Sequence, residues 1–125
     1  MSGKKQQLTV VYVPQKEDFE YIFENNHKLD YQMGKCENKS SLIEILEFYV
    51  KIRREKLQIY QGNYYKLTKL CLKYDLIEWT AFFLREIYYK KIEISKEILD
   101  EFIKKNFMHK LQQQNEEAEQ SYSYS

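Results

Sequence analysis

The sequence predicts an all-α protein, a compact bundle of about five helices in one domain. Three observations carry that reading. Gly and Pro number only 3 and 1 in 125 residues, so sharp turns and helix breakers are scarce. Apolar residues recur at three- and four-residue spacing along most of the chain. Hydrophobic residues make up 43% and charged residues 31%, a globular balance, and a chain of this length buries roughly two-thirds of its unfolded surface.

The elements follow in order. Residues 8–13, Leu-Thr-Val-Val-Tyr-Val, are β-branched and aromatic. They predict a short strand or extended arm closed by Pro14, so residues 1–14 form an N-terminal arm. A first helix is expected over 15–26, with Phe19, Ile22 and Phe23 as its inward stripe and Glu17 and Asp18 in the first turn, where the helix dipole favours carboxylates. The Asn, Asp, Gly34 and Lys of 27–39 predict a loop. A second helix over 41–60 would be capped by Ser40 or Ser41, with Glu44 completing a capping box. Its stripe is Leu42, Ile45, Leu46, Tyr49 and Ile52. Gln61-Gly62-Asn63 is the clearest break in the chain.

A third helix is expected over 64–74, with Tyr64, Leu67, Leu70, Cys71 and Tyr74 on one arc and Lys66, Lys69 and Lys73 on another. After a short turn at Asp75-Leu76, residues 77–91 form the most apolar helix, buried on most sides. The last helix starts at Ser95 and uses Ile98, Leu99, Phe102, Ile103 and Phe107 as its stripe. The single helical domain therefore spans 15–110. Residues 111–125, Gln-rich, then acidic, then Ser-Tyr-Ser-Tyr-Ser, have no periodicity and are expected to be disordered.

Composition excludes several function classes. So little Gly disfavours phosphate-cradling loops. No window approaches the length of a membrane span, and the N-terminus lacks a signal peptide's apolar stretch. Cys36 and Cys71 read as free thiols. A nucleophile needs a base and an orienting group beside it. Cys71 lies on an apolar arc, and His27 and His109 have no obvious partners. His27, Cys36, Cys71 and His109 lack the short paired spacing of zinc ligands. The expectation is a protein with no catalytic residues, no metal and no cofactor.

Charge is more informative in its distribution than in its total. The chain carries +1 overall. Within 51–73, however, Lys51, Arg53, Arg54, Lys56, Lys66, Lys69 and Lys73 stand against Glu55 alone, a local +6 that leaves −5 for the rest. A focused basic band can meet nucleic-acid phosphates, an acidic protein surface, or only solvent. If both clusters lie at one end of a helical hairpin, these seven residues are the candidate DNA-binding set.

The stretch 66–91 carries a family resemblance. Lys-Leu-Thr-Lys-Leu-Cys-Leu-Lys-Tyr-Asp-Leu followed by Ile-Glu-Trp-Thr-Ala-Phe-Phe-Leu-Arg-Glu-Ile resembles the second and third helices of a homeodomain. Leu70, Leu76 and the pair Phe82-Phe83 match the spacing. After that pair the family places a base-reading Asn and arginines, where this chain has Leu84, Arg85, Glu86 and Ile87, so duplex reading does not carry over. The Lys-rich, Gln- and Asn-rich composition has a protist flavour. With the small size and the degenerate third helix, it is similar to the homeobox-like accessory subunits of the ciliate DNA adenine methyltransferase complex. That resemblance implies a nuclear, non-catalytic subunit that assists assembly and DNA engagement, with other protein subunits and DNA as partners, no membrane, and catalysis elsewhere. The alternative expectation is a structural subunit of a large assembly, mitochondrial for example, with no nucleic-acid role.

Overall fold

The computed structural model describes residues 16–123, and side chains over 18–117. Five helices follow one another: α1 (Lys16–Gly34), α2 (Lys39–Arg54), α3 (Gln61–Lys73), α4 (Ile77–Tyr89) and α5 (Lys96–Ser123). No strand occurs among the described residues, and the expected strand at 8–13 lies outside them. α3 is the central element. It packs most closely on α4 and also meets α1 and α5, while α2 packs on α1 and α5 on α4.

The first helix is longer than expected. α1 runs through 27–34, and only 35–38 remain as a connection. The stretch that suggested a loop carries two buried residues, Leu29 and Met33, which continue the inward face on which Asn26, the last residue of the expected helix, is also buried. The inward stripe is therefore Ile22, Asn26, Leu29 and Met33, a helical spacing in which an amide stands where an apolar residue is usual. Phe19 and Phe23, expected in that stripe, are each 58% exposed.

Asn26 is buried at low cost because its amide is saturated. Its Nδ2 donates to the Ile22 carbonyl and the Gln58 carbonyl, both at 2.8 Å. Its Oδ1 accepts from the Tyr60 amide (2.8 Å) and from Asn63 Nδ2 (3.1 Å). Asn63 Nδ2 also donates to the Asn26 carbonyl (3.0 Å). Two donors and two lone pairs are all the side chain has. This knot joins α1 to the 55–60 connection and to the first turn of α3. It explains why the chain breaks at 55–60 rather than at 61–63: Gln61-Gly62-Asn63 opens α3, and Asn63 serves as a buried tie. α2 likewise begins earlier than expected, capped not by Ser40 or Ser41 but by Asn38, whose Oδ1 accepts from the Ser41 amide (2.8 Å) and hydroxyl (2.9 Å).

Three helices end in the same way, without glycine. Lys56, Asp75 and Lys91 adopt φ of 60°, 61° and 56°. In each case the following residue donates back across the last turn: Leu57 to Ile52 O (3.2 Å), Leu76 to Cys71 O (2.8 Å) and Ile92 to Ile87 O (3.0 Å). This is the Schellman closure, and Leu57, Leu76 and Ile92 all pack on the core. The core centres on Tyr49, whose ring lies 5.0 Å from Phe83 and 6.3 to 6.4 Å from Tyr64, Trp79 and Phe82. Thr68 and Thr80, fully buried on α3 and α4, turn their hydroxyls back to Tyr64 O (2.7 Å) and Leu76 O (2.8 Å).

α5 starts as expected, with the Ser95 hydroxyl accepting from the Ile98 amide (3.4 Å). Lys105 fastens it to the end of α3, donating to Leu72 O (2.7 Å) and pairing with Asp75 (2.9 Å) and Glu101 (3.5 Å). Burial alone would lower its pKa, but the two carboxylates outweigh burial and raise it. Of the expected stripe, Ile98 is buried and Phe102 half-buried, while Leu99, Ile103 and Phe107 face outward. Residues 111–123, expected to be disordered, continue the helix. Gln, Glu and Ala are favourable helix residues, and an established helix propagates easily.

Two stability measurements check these points. Asn26→Ala orphans the Tyr60 amide and removes the partner of Asn63, and should destabilise urea unfolding by about 3 kcal/mol, whereas the outward Asn25→Ala should change it by under about 0.5 kcal/mol. Lys91→Gly relieves a left-handed side chain at some cost in unfolded-state entropy, and should stabilise by about 0.5–1 kcal/mol.

Candidate functional site

The seven basic residues do not form one patch. Arg53 and Arg54 stand at the C-terminal end of α2 beside an open groove of about 560 Å³ between α2 and α4. Tyr49, Val50, Trp79 and Phe82 floor the groove, and Glu78 and Glu86 stand on its α4 side. Arg53 is held in place by donating to the Leu57 carbonyl (3.1 Å). Lys51 and Lys56 are exposed nearby in sequence. Lys66 is ion-paired with Asp30 of α1. Lys69 and Lys73 lie over the rings of Tyr65 (5.5 Å) and Tyr74 (5.3 Å), bordering the crease between α3 and α5. Lys66, Lys69 and Lys73 do share an exposed ridge of α3, as their spacing predicts. The local +6 is thus divided among an acid-flanked groove, an ion pair and a ridge.

The groove is the constellation that charge counting missed. Trp79 is half-buried rather than central to the core. It stacks on Phe83 at 5.7 Å with a 27° tilt, and its other side borders the groove and an adjoining hollow made with Ile43, Leu46 and Glu47. Tyr, Trp and Arg around an apolar floor are the residue types that dominate interface energetics. The spacing of Tyr49, Arg53 and Trp79 could not reveal this, because α2 and α4 are separated by α3 in the chain and come together around the rings of Tyr49, Trp79, Phe82 and Phe83. Tyr49 and Tyr64 are both pushed above the usual phenol range, first by burial. The Tyr64 hydroxyl is fully buried without a hydrogen-bond partner, with the Tyr49 phenol beside it but outside hydrogen-bond geometry.

The candidate reactive groups are dispersed. Both cysteines are free thiols. Cys71 is fully buried, and burial pushes its thiol up to about 12. His27 is exposed and stacked on Phe23 at 6.1 Å. His109 is half-buried, with its Nε2 3.3 Å from Gln113 Nε2. Among the described residues no three His, Cys, Asp or Glu side chains converge as metal ligands, and no described helix is long and apolar enough to cross a membrane.

Two apolar ridges are also open. On α1, Phe19, Phe23, His27 and Tyr31 follow at four-residue spacing, with Lys35 placed over Tyr31 (4.4 Å). On α5, Leu99, Ile103, Phe107 and Leu111 do the same. Comparison of the chain with protein-family models, with curated proteins and with solved structures gives no match.

The thiols give a direct check on burial. A maleimide should label Cys36, which is only partly buried, in the native protein. Cys71 should react only on unfolding, since the reactive species is the thiolate. Equal labelling rates in mass spectrometry would contradict this packing.

Proposed function

We infer that the protein is a non-catalytic accessory subunit of a multiprotein complex, and that the α2–α4 groove seats a segment of a partner subunit. The observation that carries this reading is the open groove whose aromatic floor is the buried Tyr49 and the half-buried Trp79 and Phe82, beside the exposed Arg53 and Arg54. The fitting segment presents an apolar anchor for the floor and a carboxylate for the guanidiniums, which bind carboxylates through paired donors. Glu78 and Glu86 bias against a uniformly acidic partner and favour one with a cation on the opposite flank.

A second reading adds DNA engagement, as the resemblance to the homeobox-like methyltransferase subunits implies, with a nuclear location. It is supported by the α3 lysine ridge. Because Lys66 is paired with Asp30, the free members are Lys69 and Lys73, with Lys51 and Lys56 beyond the turn. Such contacts position a duplex without reading its sequence.

One pair of variants separates the two readings. Arg54→Glu lies at the exposed end of α2 and should leave the melting temperature near that of the wild type. Its recovery of partner subunits on purification from the source should fall about tenfold or more, the equivalent of about 1.4 kcal/mol. Unchanged recovery would refute groove docking. Lys69→Glu with Lys73→Glu should weaken DNA binding by the assembled complex equally across sequences. It should also flatten the dependence of log affinity on log salt by up to about 0.9 per lost contact. An unchanged slope would remove the DNA reading and leave the docking reading standing.

A further inference from the structure

α5 has two apolar faces. One, with Ile98 buried and Phe102 half-buried, packs inward on α3 and α4. The other is the ridge of Leu99, Ile103, Phe107 and Leu111, of which Ile103 and Phe107 are 63% and 64% exposed. A helix with a single neighbouring body needs one apolar stripe, and a second stripe signals a second body. The helix is also long, 28 residues or about 42 Å. Met108, His109 and Gln112 border a hollow made with Asp75 and Ile77 of the body.

The residues beside the ridge say what that second body is. Lys96, Asp100 and Lys104, all exposed, run at four-residue spacing beside it, and Lys104 also borders a hollow made with Asp75 and Ile77. Asp100 and Lys104 form no hydrogen bond or ion pair to any described residue. A two-fold interface brings the same surface of both chains together, so it must be complementary to itself. In an antiparallel arrangement this row is. Asp100 of each chain falls opposite Lys104 of the other, and Leu99 of each falls between Ile103 and Phe107 of the other. A parallel pairing in register would instead set Asp100 against Asp100 and Lys104 against Lys104, which is unfavourable.

We propose that α5 pairs antiparallel with α5 of a second copy of this chain, through Leu99, Ile103 and Phe107 with reciprocal Asp100–Lys104 contacts. The pairing goes beyond the docking reading and uses a different face, so groove variants leave it unchanged. Its small apolar area makes it a modest, concentration-dependent dimer.

Sedimentation velocity of the full chain across the micromolar range tests it. The expected result is a shift from monomer to dimer mass with rising concentration. Ile103→Asp should raise the dissociation constant at least about tenfold with helicity unchanged by circular dichroism, since Ile103 is exposed. Asp100→Lys and Lys104→Asp should each weaken the dimer, and the double swap should restore it. A monomer at every concentration overturns the proposal. So does a dimer indifferent to Ile103→Asp, or a double swap that fails to rescue. Arg54→Glu should not alter the dimer, so loss of the docking reading and loss of this one are seen separately.

Discussion

The path of the chain depends on one buried amide. Asn26 stands in the inward stripe of α1, with its two donors and two lone pairs taken by Ile22, Gln58, Tyr60 and Asn63. An unsatisfied buried amide costs on the order of 1–3 kcal/mol per lost partner, so the knot is favourable only when complete. Completeness demands that residues 57–60 pass along α1, where Gln58 and Tyr60 meet Asn26, and that α3 begin at Gln61. A single side chain thereby fixes where α2 must stop, where α3 must start and which face of α1 turns inward. Alternative packings that rotate α1 by one residue would bury Asn25 or His27 without these partners, which gives the polar knot a role in specifying a unique arrangement as well as in holding it.

The second constraint is the scarcity of glycine. A helix usually ends on a left-handed residue, and Gly takes that conformation most cheaply. This chain instead places Lys56, Asp75 and Lys91 there, at about 1–2 kcal/mol of backbone strain each. Compensation comes from the residue that follows. Leu57, Leu76 and Ile92 turn back onto the core, and the closing hydrogen bonds satisfy carbonyls that would otherwise be open. At Asp75 the carboxylate also reaches Lys105, so the turn between α3 and α4 is joined directly to α5.

Periodicity made most of this architecture legible. The stripe of α2, Leu42, Ile45, Leu46, Tyr49 and Ile52, is buried as its spacing required. The helical stretches at 64–74 and 77–91 correspond to α3 and α4, and Ser95 caps α5. The errors have a common physical source. Asn, Gly and Ser act as breakers when exposed, but a buried, saturated Asn26 or Asn63 continues a helix or opens one, and no local pattern distinguishes the two cases. The spacing of Phe19, Phe23, Leu99, Ile103 and Phe107 predicts an inward face, yet they point outward, because apolar spacing reports a face without saying what covers it. The groove was invisible for a different reason: its floor joins residues about thirty positions apart, on two helices separated in the chain by α3.

The divided basic band carries the same lesson in electrostatics. A count of +6 over 51–73 treats charge as if sequence proximity were spatial proximity. Across a Debye length of roughly 8 Å at physiological salt, only charges on one face add. Here Lys66 is neutralised locally by Asp30, the two arginines share their groove with Glu78 and Glu86, and Lys69 and Lys73 border the separate crease between α3 and α5. What remains is a set of short-range, mixed-sign surfaces beside exposed apolar ones. Such surfaces select partners by register and orientation, since a shift of one helical turn exchanges attraction for repulsion. These surfaces therefore favour the proposed docking of matched partner segments over a long-range field that gathers any polyanion.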